Sequence, residues 1–303
     1  ATMKVKEQLM SKKQLFTLEF PVRCSPVILY EFLATPAGLQ EWFADKVDEW
    51  ENVYSFSWNG GVPDKAEIMD LFQKERFEVV INLAAQAGVR YSLTNPDVYV
   101  SSNVQGFLNI LEAARKYPVK NLIYASSSSV YGLNKSIPFQ ESHSTSHPIS
   151  LYAASKKANE MMAHTYSQLF GIPTIGLRFF TVYGPWGRPD MAYFRLAGHK
   201  LGKSKFVLNG DGSTLRDFTY IDDVTRMIEG MMAEMSQRNS GFFDITNIGG
   251  GQPRSMDELI GLVLGEGNSS QSLSKQSSNP LDVNATVSDV TYQKSLIATI
   301  PTI

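Results

Sequence analysis

Residues 1–60 differ from the rest of the chain in how their apolar side chains are spaced. In the segments 16–22 and 54–58, apolar and polar residues alternate. This alternation predicts strands that bury one face only, as strands of antiparallel sheets do. Between these segments, a capping side chain twice stands before a proline, which predicts short helices over 26–34 and 36–43. The first 60 residues are therefore predicted to form a short α+β fragment.

After this fragment the alternation disappears. Near-continuous apolar runs predict strands that are buried on both faces, and stretches with helical apolar spacing separate them. The predicted strands cover 78–83, 121–125 and 174–177, and the predicted helices cover 64–75, 96–116 and 151–170. Strands and helices in alternation indicate an α/β fold, with a parallel sheet and helices on both of its faces.

Beyond residue 185 the predicted elements become shorter. Strands are predicted near 205–208 and 242–247, and a capping box at 255–258 opens a further helix. This pattern favours a small C-terminal substrate lobe over 185–303.

The composition argues against several classes of partner and site. The 303 residues carry a formal net charge of −2, with 43% hydrophobic and 19% charged residues, so nothing indicates binding to nucleic acid or to an anionic membrane. The single cysteine, Cys24, excludes an internal disulfide, and no residues with ligand spacing indicate a metal site. The first 25 residues lack a continuous apolar segment, so we expect a cytoplasmic protein that acts on a small molecule.

Tyr152 and Lys156 carry the clearest chemical signal. They lie four residues apart in the predicted helix 151–170 and therefore project from one face. An ammonium near a phenol lowers the pKa of tyrosine from about 10, which makes the pair a usable general base. An amphipathic helix also supplies this spacing by chance. The serines at 126–129 add weight because they end a buried strand, where parallel sheets bind ligands, although a polar loop has the same composition.

These segments resemble the extended short-chain dehydrogenases/reductases that epimerise nucleotide sugars, and among them the UDP-glucuronate 4-epimerases. The resemblance is dense from 64 to about 248. It rests on NLAAQAGVR at 82–90, ASSSSVYG at 125–132, SLYAASKKANE at 150–160 and RFFTVYGPWGR at 178–188. It implies a Rossmann-like parallel sheet, NAD as cofactor, a UDP-sugar as substrate, and a homodimer formed through 96–116 and 151–170.

The resemblance also implies roles for individual residues. Tyr152 would be the catalytic base, Lys156 would tune it and bind the nicotinamide ribose, and Ser127 would bridge to the sugar O4. The positions implied to lie beside NAD are Leu83, Ala84, Ala85, Asn103, Tyr152, Lys156 and Phe180. The positions implied to contact the substrate are Ser128, Thr181, Arg216, Arg90 and Arg188. Arg216 would grip the diphosphate; for Arg90 and Arg188 a surface salt bridge is an equal alternative.

The implied reaction is oxidation at C4 of the sugar, rotation of the 4-keto sugar, and reduction from the opposite face. Related decarboxylases and dehydratases have an acidic residue after the catalytic hydroxyl. Here Ser128 and Ser129 follow Ser127, which disfavours both of those reactions. Neutral hydroxyls tolerate a uronate carboxylate that an acidic neighbour would repel, so the sequence favours glucuronate over a neutral hexose.

The Gly-rich turn of the family is missing. Its members bind the NAD pyrophosphate on a G-x-x-G-x-x-G turn between a strand and a helix, but the three glycines before Asn82 do not have this spacing. The glycines at 249–251 lack the third spaced glycine and are interpreted as an ordinary loop. Residues 61–303 are therefore predicted to be an epimerase domain that lacks its N-terminal strands, with an incomplete Rossmann-like sheet and an incomplete NAD site.

Residues 1–60 resemble instead the start of a START-like, Aha1-type small-molecule-binding domain, through 16–22 and 35–44. The chain then looks like a chimaera, in which the strand at 78–83 becomes an apolar edge. Two functions remain open. One is an NAD-dependent UDP-glucuronate 4-epimerase with an impaired cofactor site. The other is a non-catalytic binding or interaction protein, in which the START-like piece contributes a ligand surface.

Overall fold

The computed structural model describes residues 9–10, 13–14, 46–50, 53–57, 65–265, 273–277 and 283–297. The chain divides into two compact units, 1–59 and 60–303. No helix among the described residues combines the length and the apolarity that crossing a bilayer requires.

The first unit contains two antiparallel strand pairs. Strand β1 (Leu9–Met10) pairs with β2 (Lys13–Gln14), and β3 (Lys46–Trp50) pairs with β4 (Val53–Ser57). The strand predicted near 54–58 is thus present as β4, in an antiparallel pair as expected. The strand predicted at 16–22, the helices predicted over 26–34 and 36–43, and Cys24 lie outside the described residues.

The second unit contains the remaining elements. Its strands are β5 (Val79–Asn82), β6 (Asn121–Ser127), β7 (Thr174–Phe179), β8 (Thr181–Tyr183), β9 (Val207–Asn209), β10 (Leu215–Tyr220), β11 (Phe243–Ile248), β12 (Pro253–Ser255), β13 (Ser274–Gln276) and β14 (Ala285–Thr286). Its α-helices are α1 (Lys65–Glu75), α2 (Tyr91–Thr94), α3 (Pro96–Tyr99), α4 (Gly106–Lys116), α5 (Leu151–Phe170), α6 (Ala192–Lys200), α7 (Ile221–Met235), α8 (Met256–Leu264) and α9 (Thr291–Leu296).

Among the residues that the structure describes, four parallel strands form the main sheet, in the order β11-β7-β6-β5. Among the described residues β5 pairs only with β6, and its Ile81 is exposed. The parallel sheet confirms the predicted α/β class. One detail differs from the prediction: the strand near 242–247, expected in the substrate lobe, is β11 and lies beside β7 in the main sheet, where its last three residues, Thr246, Asn247 and Ile248, are buried.

Helices cover both faces of this sheet. On one face, α1, α4 and α5 enclose a core that includes Phe107, Leu111 and Tyr124. On the other face, α7 and α9 pack over Ile175, Leu177 and other apolar residues of the sheet. These two cores fix the carboxyl ends of β6 and β7 relative to α5, and the candidate site lies there.

Two of the predicted helices are present, one with clear end signals and one divided into three parts. Helix α5 begins after Ser150, whose Oγ accepts a hydrogen bond from the Ala153 N–H (3.1 Å), and ends at Gly171 in the left-handed conformation (φ 71°). The helix predicted over 96–116 is present as α3, a π-helical turn (Val100–Gln105) and α4 in succession. Such π-helical turns often lie at functional sites, and this one carries Asn103.

A smaller group of elements lies beside the main sheet. Strand β10 pairs antiparallel with β12 and parallel with β14 and β8, while β9 pairs with β13. Helix α8 opens with the predicted capping box, formed by Ser255 and Glu258. Leu196, Phe206 and Ile260 belong to the core of this part.

Candidate active site

The Ser127 and Tyr152 side chains meet where β6 ends. Strand β6 runs into a 3₁₀ turn (Ser128–Tyr131), and the Ser127 Oγ caps this turn by accepting a hydrogen bond from the Ser129 N–H (3.2 Å). The Ser127 hydroxyl also lies near the Tyr152 phenol, in the first turn of α5, and acts to lower the pKa of that phenol. The sheet and α5 thus bring together a hydroxyl and a phenol that are 25 residues apart in the sequence.

Lys156 lies one helical turn beyond Tyr152 and is buried, with 3% of its surface exposed. Its Nζ donates a hydrogen bond to the Ala125 carbonyl oxygen of β6 (2.8 Å). Because burial disfavours the charged ammonium, the pKa of Lys156 falls from 10.5 to about 8.

Burial also controls Tyr152, and here the structure differs from the expectation. Loss of hydration raises the pKa of Tyr152, while the hydrogen bond from Ser127 and the positive charge of Arg188 act in the opposite direction. Lys156 was expected to lower this pKa, but its ammonium is bonded to the Ala125 carbonyl instead. Both groups are therefore shifted towards their neutral forms.

Asn103 links the loop after β5 to helix α5. Its side-chain amide pairs with the main chain of Gln86, accepting from the N–H (2.7 Å) and donating to the carbonyl oxygen (3.0 Å). The same Nδ2 donates to the Ser155 Oγ (2.9 Å), and the Asn103 carbonyl accepts from the Asn159 Nδ2 (2.7 Å). The loop that Asn103 holds follows Leu83, Ala84 and Ala85, of which the first two have exposed side chains.

Tyr99 is a site residue that sequence reasoning missed. Its ring packs edge-on against the Tyr152 ring, with a centroid distance of 6.1 Å and an interplanar angle of 73°. Its hydroxyl lies 3.0 Å from the Ala87 carbonyl oxygen and 2.6 Å from that of Gly88. Its spacing from Asn103, four residues along one helical stretch, is the signal that could have identified it.

A buried ion pair braces the end of β6, and it too was missed. The Arg178 guanidinium donates to both Glu160 carboxylate oxygens (2.8 and 3.0 Å), and the two side chains are 3% and 1% exposed. Glu160 also accepts from the Ser126 Oγ (2.6 Å), and Arg178 donates to the Tyr131 Oη (3.0 Å). The pair therefore anchors Ser126 and Tyr131, which lie before and after Ser127 in the sequence. An arginine within a buried strand was the available signal.

The predicted substrate arginines lie in different settings. Arg188 makes a two-fold hydrogen bond to the Asp190 carboxylate (2.9 and 2.6 Å), the salt bridge left open as an alternative, yet its charge also acts on Tyr152. Arg90 lies against Asn209. With the side-chain oxygen of Asn209 oriented towards Arg90, it accepts hydrogen bonds from Nη1 (3.0 Å) and Nη2 (2.7 Å). Burial and the nearby charge of Arg90 lower the pKa of Arg195.

Arg216 lies in β10 directly opposite Arg254 of β12. Like charges at facing positions are unfavourable, and an anion between them would relieve the repulsion. The remaining predicted residues lie near β7 and β8: Phe180 is buried, packing with Tyr131 and Phe139, and Thr181 pairs across to Phe218. Ser128 is half-buried beside Ser127.

The glycines at 249–251 hold a protein carboxylate. The Asp217 side chain accepts from the Gly250 and Gly251 N–H groups (3.0 Å each) and from the N–H and hydroxyl of Ser288. A Cβ at Gly249 would lie 2.3 Å from the Ser288 Oγ, so the glycine allows this close approach. This arrangement fits the interpretation of the segment as an ordinary loop.

Comparison with known proteins now places this site in a family. Residues 44–249 match the sequence profile of the NAD dependent epimerase/dehydratase family. The chain belongs to this family. Its members are enzymes that use NAD, as the resemblance had implied.

Individual members of the epimerase/dehydratase family give the degree of similarity. The chain is 47% identical over 207 residues to Protein CapI of Staphylococcus aureus, covering 64% of this chain and 62% of that protein. It is 45% identical over 216 residues to UDP-glucuronate 4-epimerase 3 of Arabidopsis thaliana, covering 67% of this chain and 50% of the relative. The fold matches UDP-glucuronic acid 4-epimerase from Bacillus cereus, in complex with UDP-glucuronic acid and NAD, with a TM-score of 0.69 and 33% identity over 78% of this chain and 74% of that one.

Coverage limits what these matches establish. The chain spans about half to three fifths of the length of the curated relatives it matches first. The family match begins at residue 44, inside the segment 1–60. The START-like resemblance of that segment finds no support in these comparisons, and the fusion stays a prediction.

NAD, the family's cofactor, fits one half of the site. Lys156 is a buried ammonium with three donors, of which the described residues engage one through Ala125, so donors remain for a ribose hydroxyl. The pyrophosphate half is different: in the part of the chain that the structure describes, the one run of glycines, 249–251, is already bonded to Asp217. In the same part, no group of three His, Cys, Asp or Glu side chains could hold a metal ion.

Proposed function

We propose that this chain is an NAD-dependent UDP-sugar 4-epimerase that interconverts UDP-glucuronate and UDP-galacturonate. The observation that carries the proposal is the proximity of the Ser127 hydroxyl to the Tyr152 phenol at the end of β6, with the buried Lys156 one helical turn away. The solved Bacillus cereus relative is a UDP-glucuronic acid 4-epimerase, which supports the choice of substrate.

The chain's own residues would move the proton. Tyr152, as the phenolate, takes the proton from the sugar O4 while C4 is oxidised, and returns it to O4 when C4 is reduced again. Ser127, whose hydroxyl lies near the phenol, would orient the O4 hydroxyl. Arg188 supplies positive charge that partly offsets the burial of the phenolate, and the buried Lys156 lies one helical turn away. NAD⁺, when bound, would supply the hydride chemistry at C4.

The preference for glucuronate rests on the residues beside Ser127. Ser128 and Ser129 are neutral and half-buried, so a uronate carboxylate near them meets hydroxyl donors and no negative charge. Across β10 and β12, the facing residues Arg216 and Arg254 would bind the diphosphate, and Arg254 also lies 3.5 Å from the Glu258 carboxylate.

Three measurements test the proposal. Mass spectrometry of natively purified protein should detect bound NAD, and incubation with UDP-glucuronate and NAD⁺ should yield UDP-galacturonate. Tyr152→Phe should lower kcat by about 10²- to 10⁴-fold, because the general base is lost. The matched control is Tyr166→Phe on the same helix, whose hydroxyl bonds Glu112 (2.8 Å) away from the site and which should keep its kcat.

A non-catalytic binding or interaction protein remains the second candidate. The sequence observation that favours it is the lack of a G-x-x-G-x-x-G turn before Asn82. Protein that holds no NAD, forms no epimer with added NAD⁺ and still binds UDP-glucuronate would establish this alternative in place of the enzyme.

We also propose that the chain forms a homodimer through α4 and α5 together with the turn before α4. The support is the exposure of large apolar side chains on these elements, Val100 and Met161 among them. Sedimentation velocity should show a dimer, and Met161→Lys should shift it towards the monomer.

A further inference from the structure

Trp186 occupies a backbone conformation that its side chain disfavours. Its φ is +63°, in the left-handed region that glycine and asparagine adopt and bulky residues avoid. Among the described residues, one other non-glycine has a positive φ: Arg76, just after the end of α1, where a left-handed residue is common. Trp186 has no such position at a helix end.

The surroundings of Trp186 impose this conformation. The Gly187 N–H donates to the Gly184 carbonyl oxygen (3.2 Å), which closes a turn with Pro185 and Trp186 at its centre. A Cβ at Gly184 would lie 2.5 Å from the Ile221 Cγ2, and one at Gly187 would lie 2.3 Å from the Tyr193 Oη. Both ends of the turn are therefore packed without room to relax, and the central residue takes the strained angle.

The fold gains little from the tryptophan itself. The residue is 72% exposed, so the indole buries little apolar surface in the ligand-free protein. A glycine would fit the same turn without strain. Strain that persists without a packing benefit points to a role outside folding.

The turn is attached to the candidate site at both ends. It follows β8, whose first residue is Thr181, and it leads directly into Arg188. Arg188 lies close enough to Tyr152 and Tyr99 for its charge to act on both phenols. Along the chain, the exposed Trp186 therefore lies between Thr181, expected to approach the sugar, and Arg188, whose charge acts on the Tyr152 phenol.

We propose that the Trp186 indole packs against the sugar ring of the bound UDP-sugar and determines affinity for the hexuronate part of the substrate. This inference rests on the proposed function. A pyranose has a face of C–H bonds that packs well on an aromatic ring, while its hydroxyls remain free for residues such as Thr181. Ligand contact would then bury the indole that the free protein leaves in water.

The test compares stability with affinity in one variant. Trp186→Gly should raise the thermal midpoint by about 2–4 °C, because it relieves the strained angle. The same variant should bind UDP-glucuronate about five- to tenfold more weakly by calorimetry, while its affinity for UDP alone stays the same. Trp186→Phe, which keeps an aromatic face, should retain most of the affinity for UDP-glucuronate.

Arg76→Gly is the matched control. It removes the other strained non-glycine angle in the described residues, far along the chain from the site, and should leave both affinities unchanged. Its gain in thermal midpoint should be smaller than that of Trp186→Gly, because it also removes the contact of Arg76 with the Tyr117 ring (5.7 Å).

Each contrary outcome has a separate meaning. Equal binding of UDP-glucuronate by wild type and Trp186→Gly overturns the inference while leaving the proposed function intact. Equal loss of UDP and UDP-glucuronate places the indole at the nucleotide and overturns the assignment to the sugar. A lowered thermal midpoint shows that the indole packs into the fold, which also overturns it. A wild-type protein that binds neither ligand contradicts the proposed function itself, and the inference falls with it.

Discussion

Glu160→Gln would test whether the ion pair behind Ser127 stabilises the protein as its burial implies. The substitution keeps the shape of the side chain and removes its charge. The Arg178 guanidinium, 3% exposed, then keeps its positive charge without a counter-charge, although Nε and Nη2 had lain 2.8 and 3.0 Å from carboxylate oxygens. The Ser126 hydroxyl also loses a charged acceptor at 2.6 Å.

The expected cost follows from burial. Removing one partner of a buried pair typically costs about 3–5 kcal/mol, a large fraction of the roughly 5–15 kcal/mol by which domains are stable. The chain offers a matched control in Glu78 and Lys120, which are 2.9 Å apart and 70% and 68% exposed. Glu78→Gln should cost less than about 1 kcal/mol, because solvent screens that pair. The shortest distance is nearly the same in the two pairs, so burial and the second hydrogen bond of Arg178 account for the expected difference.

Urea unfolding at pH 7 measures both variants. A double variant, Glu160→Gln with Arg178→Met, should be more stable than Glu160→Gln, since it removes the uncompensated charge. Burial raises the pKa of Glu160. Arg178, through its hydrogen bonds and its charge, and Ser126, through its hydrogen bond, together lower this pKa by more, so the net shift is downward. The stabilisation is therefore complete above about pH 4.5 and is lost as the pH falls through the lowered pKa. A Glu160→Gln variant no less stable than Glu78→Gln would refute this reasoning.

Three further predictions concern the site itself. Because the pKa of Lys156 is about 8 in the folded protein and 10.5 ordinarily, the unfolded chain holds the proton that the folded protein releases between these values. Wild-type stability should therefore rise by about 2 kcal/mol from pH 7.5 to pH 9.5, and Lys156→Met should abolish this rise in urea titrations. Asn103→Leu should cost at least about 1–3 kcal/mol in the same assay and weaken NAD binding measured by calorimetry, since the main chain of Gln86 loses both partners. Ser128→Glu should raise the KM for UDP-glucuronate at least about tenfold more than that for UDP-glucose, because only the uronate carries a carboxylate; equal effects in steady-state kinetics would contradict the assignment of Ser128.

The main sheet was accessible from the sequence because its signals are local. The apolar runs at 78–83, 121–125 and 174–177 correspond to β5, β6 and β7, and the caps Ser150 and Gly171 bound α5. The misplaced strand, β11, shows the limit. Its sequence identified it as a strand, but membership in the main sheet depends on pairing with β7, which lies far away in the chain.

The candidate site divides in the same way. Tyr152 and Lys156 were identified because helical spacing alone places them on one face. Tyr99 and the pair of Glu160 and Arg178 were missed because their roles arise from contacts between separate elements, such as the ring contact between α3 and α5. The spacing of Tyr152 and Lys156 predicts that the ammonium lowers the pKa of Tyr152. In the structure, loss of hydration has the larger effect and raises this pKa.

That electrostatic imbalance connects stability with function. Burial shifts Lys156 and Tyr152 towards their neutral forms. Burying these two groups therefore costs free energy that the surrounding protein charges do not fully offset. A bound ligand can offset this cost in two ways. Its hydroxyl groups can accept hydrogen bonds from the Lys156 ammonium, and a cationic ring can bring positive charge to the Tyr152 phenol. Lys156→Met should then stabilise the free protein at pH 7 while it abolishes epimerisation. Loss of both stability and activity would instead mean that Lys156 is mainly a structural contact of β6.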